Sequence, residues 1–239
     1  MPRGQMQYVK DIATEYKELN IVLITYKQNN TEELLKALPE RTLLVQDVDG
    51  IFEAHQEAAK LCDSDMFWVV DGDAEVVKDF DFSYIPDVYD RQVTHVWHSL
   101  NPVTGEEYGY GGVKLFNTLQ VIEATSWGMD FTTGLSSRFK VIPEVACITK
   151  FNTNPYNTWR SAFRECVKLA TSKDPDAKQR LGAWLNPKAD AEHSFYAKLG
   201  AEMGNDYAGK NQNDIKALQR INDYVFLQDM FEVNRGTSE

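Results

Sequence analysis

Three short apolar runs in the first 75 residues constrain the fold more than any other feature of the chain. They are Asn20-Ile-Val-Leu-Ile-Thr-Tyr26, Thr42-Leu-Leu-Val-Gln46 and Met66-Phe-Trp-Val-Val70. Between the first two, Thr31 opens a helical stretch that carries Leu34, Leu35 and Leu38 and stops at Pro39. Between the last two, Gly50 precedes an Ala- and Glu-rich helix from Phe52 to Leu61. Continuous apolar runs, rather than alternating ones, are what strands buried on both faces require. Strand, helix, strand, helix, strand therefore predicts an α/β fold with a mostly parallel sheet flanked by helices.

Beyond residue 75 the pattern is looser. Val93 to His98 alternates as a strand does, Asn101 to Gly105 is a turn signal, and Tyr108-Gly-Tyr-Gly-Gly leads into Val113 to Phe116. Residues 118–126 read as a helix, and Phe139 to Ile148 reads as a strand interrupted by Pro143. Trp159, Phe163, Cys166, Val167 and Ala170 fall at helical spacing, and Ile215 to Phe231 reads as one amphipathic helix. Residues 172–216 are polar, helical or looped, and residues 7–19 read as a short polar helix or leader. The expected organisation is a core over residues 1–155 and a helical extension over residues 156–239, packed as one domain.

With 239 residues and a hydrophobic fraction of 43%, the chain can bury a substantial core. No run approaches the ~18 apolar residues of a membrane span. The start lacks an apolar signal core, and three scattered cysteines fit a reducing compartment, so a cytoplasmic location is expected. The net charge of -11 argues against a general nucleic-acid binder. It is unevenly spread: residues 1–130 carry 10 Lys/Arg against 23 Asp/Glu, and residues 131–220 carry 14 against 9. The later stretch reads first as ordinary solvated helix surface, and it leaves room for a local anionic partner.

In a parallel sheet, ligands bind beyond the carboxyl ends of the strands. Tyr26, Asp47, Asp49, Asp71 and Asp73 all fall at or near such ends, which marks one site rather than scattered surface acids. Asp71-Gly72-Asp73 closes an apolar strand with two carboxylates, a donor set suited to a hard divalent cation that keeps positions open for substrate phosphates. The same tripeptide also fits a solvated acidic turn. His95 and His98, three apart on a strand, point to opposite faces and make no ligand pair. His55 on the second helix reads as packing. Trp159 with Arg160 and Arg164 reads as a core tryptophan beside solvated arginines, or as a basic aromatic patch.

Three segments, in this order, carry a family resemblance. Gly50-Ile-Phe-Glu-Ala54-His-Gln-Glu-Ala58 leads to Val69-Val-Asp-Gly-Asp-Ala-Glu75; Tyr110-Gly-Gly-Val-Lys-Leu-Phe116 follows, and then Ser126-Trp-Gly-Met-Asp130. Together they resemble nucleotide-sugar glycosyltransferases of the GT-A fold, especially the inverting family 2 group, and proteins of this type encoded by tailed bacteriophages. The resemblance covers roughly residues 20–150. It implies a GT-A-like sheet, a Mn²⁺ or Mg²⁺ ion on Asp73 and Asp71, and a nucleoside-diphosphate sugar, with UDP-sugars favoured. It further implies donor contacts from Tyr26, Asp47, Asp49, Asp71, Gly111 and Gly112, and Asp130 as the base for the acceptor hydroxyl. His193 is the only histidine downstream and the candidate late metal ligand. A phage context suggests a hydroxymethylated pyrimidine in DNA as acceptor, and the host cytoplasm as location. A sugar nucleotidyltransferase, or a noncatalytic virion or accessory protein of similar fold, are the competing expectations.

Overall fold

The computed structural model describes residues 18–109, 111–125, 131–135 and 138–235. The helix or leader read over residues 7–19 falls almost wholly outside these residues.

β1 (Asn20–Thr25), β2 (Leu43–Gln46) and β3 (Met66–Asp71) form a parallel block with β1 in the middle. β3 is buried along its apolar length, and its two sides feed different cores. Met66, Trp68 and Val70 face one cluster with Ile21 and Leu23, while Phe67 and Val69 face another with Val22. This is the period-2 alternation of a pleated strand covered on both sides. The helix α1 (Thr31–Lys36) begins the segment that packs Leu34, Leu35 and Leu38 on the first side. The helix α2 (Ile51–Lys60) packs Ala54, Ala58 and Ala59 on the second. Trp68 meets Trp97, Phe82 and Phe80 at ring-centroid distances of 4.5, 5.3 and 5.9 Å. Burying each such large side chain contributes about 1.5–3 kcal/mol.

The sheet as a whole is mixed, which corrects the expectation of a mostly parallel one. β4 (Ala74–Val76), β5 (Thr94–Leu100), β6 (Glu107–Tyr108), β7 (Val113–Asn117) and β8 (Phe139–Thr149) complete an eight-stranded sheet of order β2-β1-β3-β7-β5-β8-β4, with β6 on β5. Three pairings are parallel and four antiparallel. The reversal begins at β7, which lies antiparallel against β3. The βαβ rhythm of the first 75 residues is lost afterwards, and without a crossover helix a returning strand pairs antiparallel. The chain reads straight through Pro143: β8 slips register against β5 between Trp97 and His98 and again between His98 and Ser99. A bulge there accommodates a residue with no N–H to donate.

α3 (Thr118–Glu123) and α4 (Phe131–Leu135) follow β7, and Val121 and Phe131 close the α2 side of the core. His55 is buried there, its Nδ1 2.7 Å from the Ile51 carbonyl oxygen and its ring 4.3 Å from that of Phe131, which is packing. Beyond β8 the chain is helical. Asn154 caps α5 (Pro155–Thr171), whose Trp159, Phe163, Cys166 and Val167 are fully buried. α6 (Ala177–Leu185) leads back to α7 (Ser194–Lys210), which approaches α5 closely. Gly200 lies on the Trp159 carbonyl and Gly204 on the Phe163 carbonyl, where any side chain would hold the two backbones apart.

The single C-terminal helix expected from Ile215 to Phe231 is broken. α8 (Ile215–Gln219) passes into a short 3-10 turn over Arg220–Asn222, and α9 (Tyr224–Arg235) starts afresh. Asp223 causes the restart: its Oδ1 accepts from the backbone N–H groups of Val225 and Phe226, the capping bond a new helix needs. Among the described residues no helix is long and apolar enough to cross a membrane.

Candidate functional site

The strand order places β1 between β2 and β3, so the chain leaves β1 toward β2 but leaves β3 toward the other side of the sheet, where β4 lies. At such a reversal the loops diverge and leave a crevice at the carboxyl ends. Here the switch point lies between residues 26–28, after β1, and residues 71–73, after β3. The two loops are tied: Gln28 Nε2 donates to the Gly72 carbonyl at 2.7 Å. A Cβ at position 72 would strike the Gln28 amide and sit 3.0 Å from the Ile24 carbonyl oxygen. Glycine between the two aspartates therefore lets the β3 loop fold down onto β1.

Asp71 is fixed by a cation the sequence reading passed over. Lys114, on β7, is buried, and its Nζ donates to Asp71 Oδ1 at 2.9 Å and to Oδ2 at 2.7 Å. Lys114 pairs with Val69 across the β3–β7 ladder, so its stem runs over that face of the sheet toward the residue two positions on. A lone lysine inside the apolar run Val113 to Phe116 was the available signal. The Asp71 N–H also donates to the Gly112 carbonyl at 2.9 Å.

Asp73 differs. Among the described residues no side-chain donor bonds to its carboxylate, and its own backbone N–H is the donor that acts on it. Burial first, and the charge of Asp71 second, push its pKa up to about 6, while Lys114 and Arg160 pull the other way. Arg160, on α5, is therefore close enough for its charge to act on Asp73. Its guanidinium carbon lies 5.1 Å from the Tyr224 ring and 5.5 Å from the Tyr156 ring. Tyr224, at the start of α9, in turn meets Tyr26 at 6.3 Å between centroids. The helical region thus contributes Arg160 and Tyr224 to a rim expected to come from strand ends only.

The remaining candidates fall into place unevenly. Tyr26 is 37% exposed, and its hydroxyl donates to Asp49 Oδ1 at 2.6 Å. Asp47 takes a left-handed backbone, φ 57°, and its Oδ1 accepts from the Lys27 N–H at 2.6 Å, so it shapes the β1 loop. Gly111 and Gly112 are buried beneath Asp71. The space for a Cβ at Gly112 holds Cys147 Sγ at 2.7 Å, which gives that glycine a packing reason. His193 precedes α7 with φ 58°, and its Nε2 faces Glu192 at 3.7 Å. The described residues gather no trio of His, Cys, Asp or Glu able to hold a metal, so His193 does not join the two aspartates in such a set. Asp130, Trp127, Gly128 and Tyr110 lie outside the described residues. His95 is fully buried and His98 only partly, so they serve no common ligand set.

A divalent ion suits this donor set in one respect: two carboxylates are held close enough for one charge to raise the other's pKa. Mg²⁺ characteristically takes one or two carboxylates and completes its shell with phosphates and water, so a third protein ligand is not required. Lys114 already neutralises Asp71, which leaves Asp73 as the open oxygen ligand. A groove lined by Leu38, Pro39, Val76, Val77, Phe80 and Ile148, among others, lies elsewhere on the surface and shares no residue with this cluster.

No protein-family model matches the chain, and no curated protein sequence matches it. Among solved structures, HddC from Yersinia pseudotuberculosis aligns over 56% of this chain and 70% of its own, at 12% identity and a TM-score of 0.32. A likeness that distant carries no argument about fold or activity.

Proposed function

We propose that this protein is a metal-dependent glycosyltransferase that moves a sugar from a nucleoside diphosphate to a hydroxyl acceptor, with a GT-A-like arrangement of its sheet. One observation carries the reading. At the β1/β3 switch point, a half-buried carboxylate with no side-chain donor among the described residues, Asp73, stands beside an ion-paired one, Asp71, under a rim of tyrosines.

The charges of this cluster support it. Asp71 and Lys114 cancel across their ion pair and Asp73 adds a carboxylate, so the strand tips by themselves offer a diphosphate no net attraction. A Mn²⁺ or Mg²⁺ ion on Asp73, with Asp71 in support, would supply that attraction and stabilise negative charge on the leaving diphosphate. Tyr26, its hydroxyl held by Asp49, offers a face for the nucleobase. Asp130 is the proposed base: it takes the proton of the acceptor hydroxyl as that oxygen bonds to the anomeric carbon. The bond from that carbon to the phosphate oxygen breaks, and its electron pair leaves with the diphosphate. A UDP-sugar is the proposed donor, and a hydroxymethylated pyrimidine in DNA the proposed acceptor, approached by the basic segment 131–220.

Thermal shift with uridine, guanosine and cytidine diphosphate sugars, with and without Mn²⁺, tests the reading. At least one donor is expected to stabilise the protein only with Mn²⁺, and Asp73→Asn to abolish the effect. No stabilisation by any donor would favour a noncatalytic binding protein. Stabilisation that survives in Asp73→Asn would remove the metal site.

A further inference from the structure

We infer that Arg160 is the phosphate-binding residue of the donor site, so that the helical region supplies part of the site the strand tips leave open. This rests on the nucleotide-sugar reading above.

Other cations of α5 and α6 already have side-chain partners. Arg180 pairs with Glu165 and Asp174, Lys168 with Glu165, and Arg164 Nη2 donates to Asn222 Oδ1. Among the described residues Arg160 has no carboxylate within ion-pair distance, and its Nε is buried without a hydrogen-bond partner. The guanidinium carbon lies over the rings of Tyr156 and Tyr224, 5.5 and 5.1 Å from their centroids. Ring contacts of this kind position a guanidinium without neutralising it, and its planar N–H fork matches two phosphate oxygens at once. The Tyr224 contact, together with a charge that reaches Asp73, puts Arg160 beside the strand tips where an ion-bound diphosphate would rest. Tyr224 reaches this place because the helix restarts at Asp223, and it also meets Tyr26 on the opposite lip. Arg160 thus stands between the proposed base platform and the proposed metal carboxylate, the span a nucleoside diphosphate must cross.

Calorimetric titration of the full chain at saturating Mn²⁺ with UDP, and separately with inorganic pyrophosphate, tests this in wild type, Arg160→Gln and Arg160→Lys. Arg160→Gln is expected to weaken both ligands by about tenfold or more, and Arg160→Lys by less, since an ammonium keeps the charge but not the paired edge. If wild type binds UDP and Arg160→Gln binds it within about twofold, Arg160 is not the phosphate contact, and the donor reading stands without it. If wild type binds pyrophosphate in an Arg160-dependent way but not UDP, the phosphate site stands and the nucleotide falls. Binding of neither ligand by wild type overturns both. Should Arg160→Gln melt early, Arg160→Lys decides: affinity equal to wild type overturns the inference, and a loss of about threefold or more upholds it.

Discussion

Replacing Lys114 with methionine tests the local physics of the site directly. Methionine keeps the length and apolar stem of lysine and removes only the ammonium. In the folded protein that ammonium has a side chain 5% exposed and makes two bonds to an aspartate 34% exposed. Removing one partner of a fully buried ion pair costs about 3–5 kcal/mol, because the other charge is stranded. Asp71 can recover water over its exposed third, which brings the expected loss to roughly 2 kcal/mol. For a chain of this size that corresponds to a fall in Tm of about 4–8 °C. Adding Asp71→Asn should return part of the loss, since the carboxylate charge is then gone, and the double-mutant cycle should show about 1 kcal/mol or more of coupling. The same variant probes the metal proposal: with Asp71 released from Lys114, Mn²⁺ should raise Tm by more than it does in wild type, as expected of a ligand that binds only the folded state. Guanidinium denaturation and differential scanning calorimetry are the assays. A Lys114→Met protein that melts within about 1 °C of wild type, or additive single substitutions, would refute the reasoning.

Gly200→Ala should cost about 1–3 kcal/mol, because the new methyl would drive α7 off the Trp159 carbonyl. Gly182→Ala on α6, with nothing within 4 Å of its new methyl, should instead gain up to about 1 kcal/mol of helix propensity; equal effects in denaturant melts would contradict the α5–α7 packing. Gly72→Ala should destabilise the β1/β3 switch point, and Gln28→Ala should rescue it only in part, because the Ile24 carbonyl stays in place; full rescue in a stability assay would point to Gln28 alone. Asp73 holds its proton more tightly folded than unfolded, its pKa rising from 3.8 to about 6. Between those values the native state binds more protons, so metal-free stability should fall as pH rises through that window. Asp73→Asn should flatten that part of the Tm–pH curve in EDTA, and an unchanged slope would show that another group causes it.

Local physics was legible along the first 75 residues. Runs such as Met66 to Val70 cannot be placed except between two covered faces, so the strands, their helices and the convergence of Tyr26, Asp49, Asp71 and Asp73 at one end follow from residue order alone. Past that point the same reasoning stops. Nothing in the alternation of Val93 to His98, or in the brief run Val113 to Phe116, states the direction of a strand's neighbour, and the antiparallel insertion of β7 beside β3 emerged only from tertiary packing. That insertion delivers Lys114 to Asp71 from 43 residues away. An apolar periodicity also conceals a break when both halves are amphipathic, as Ile215 to Phe231 are, and the Asp223 cap that divides them brings Tyr224 to Tyr26. The sequence by itself determined which elements form and which carboxylates share an end of the sheet, because those depend on neighbours a few residues apart. That Lys114 meets Asp71, and that Arg160 lies over the rings of Tyr156 and Tyr224, was decided by contacts between distant segments, which no local pattern encodes.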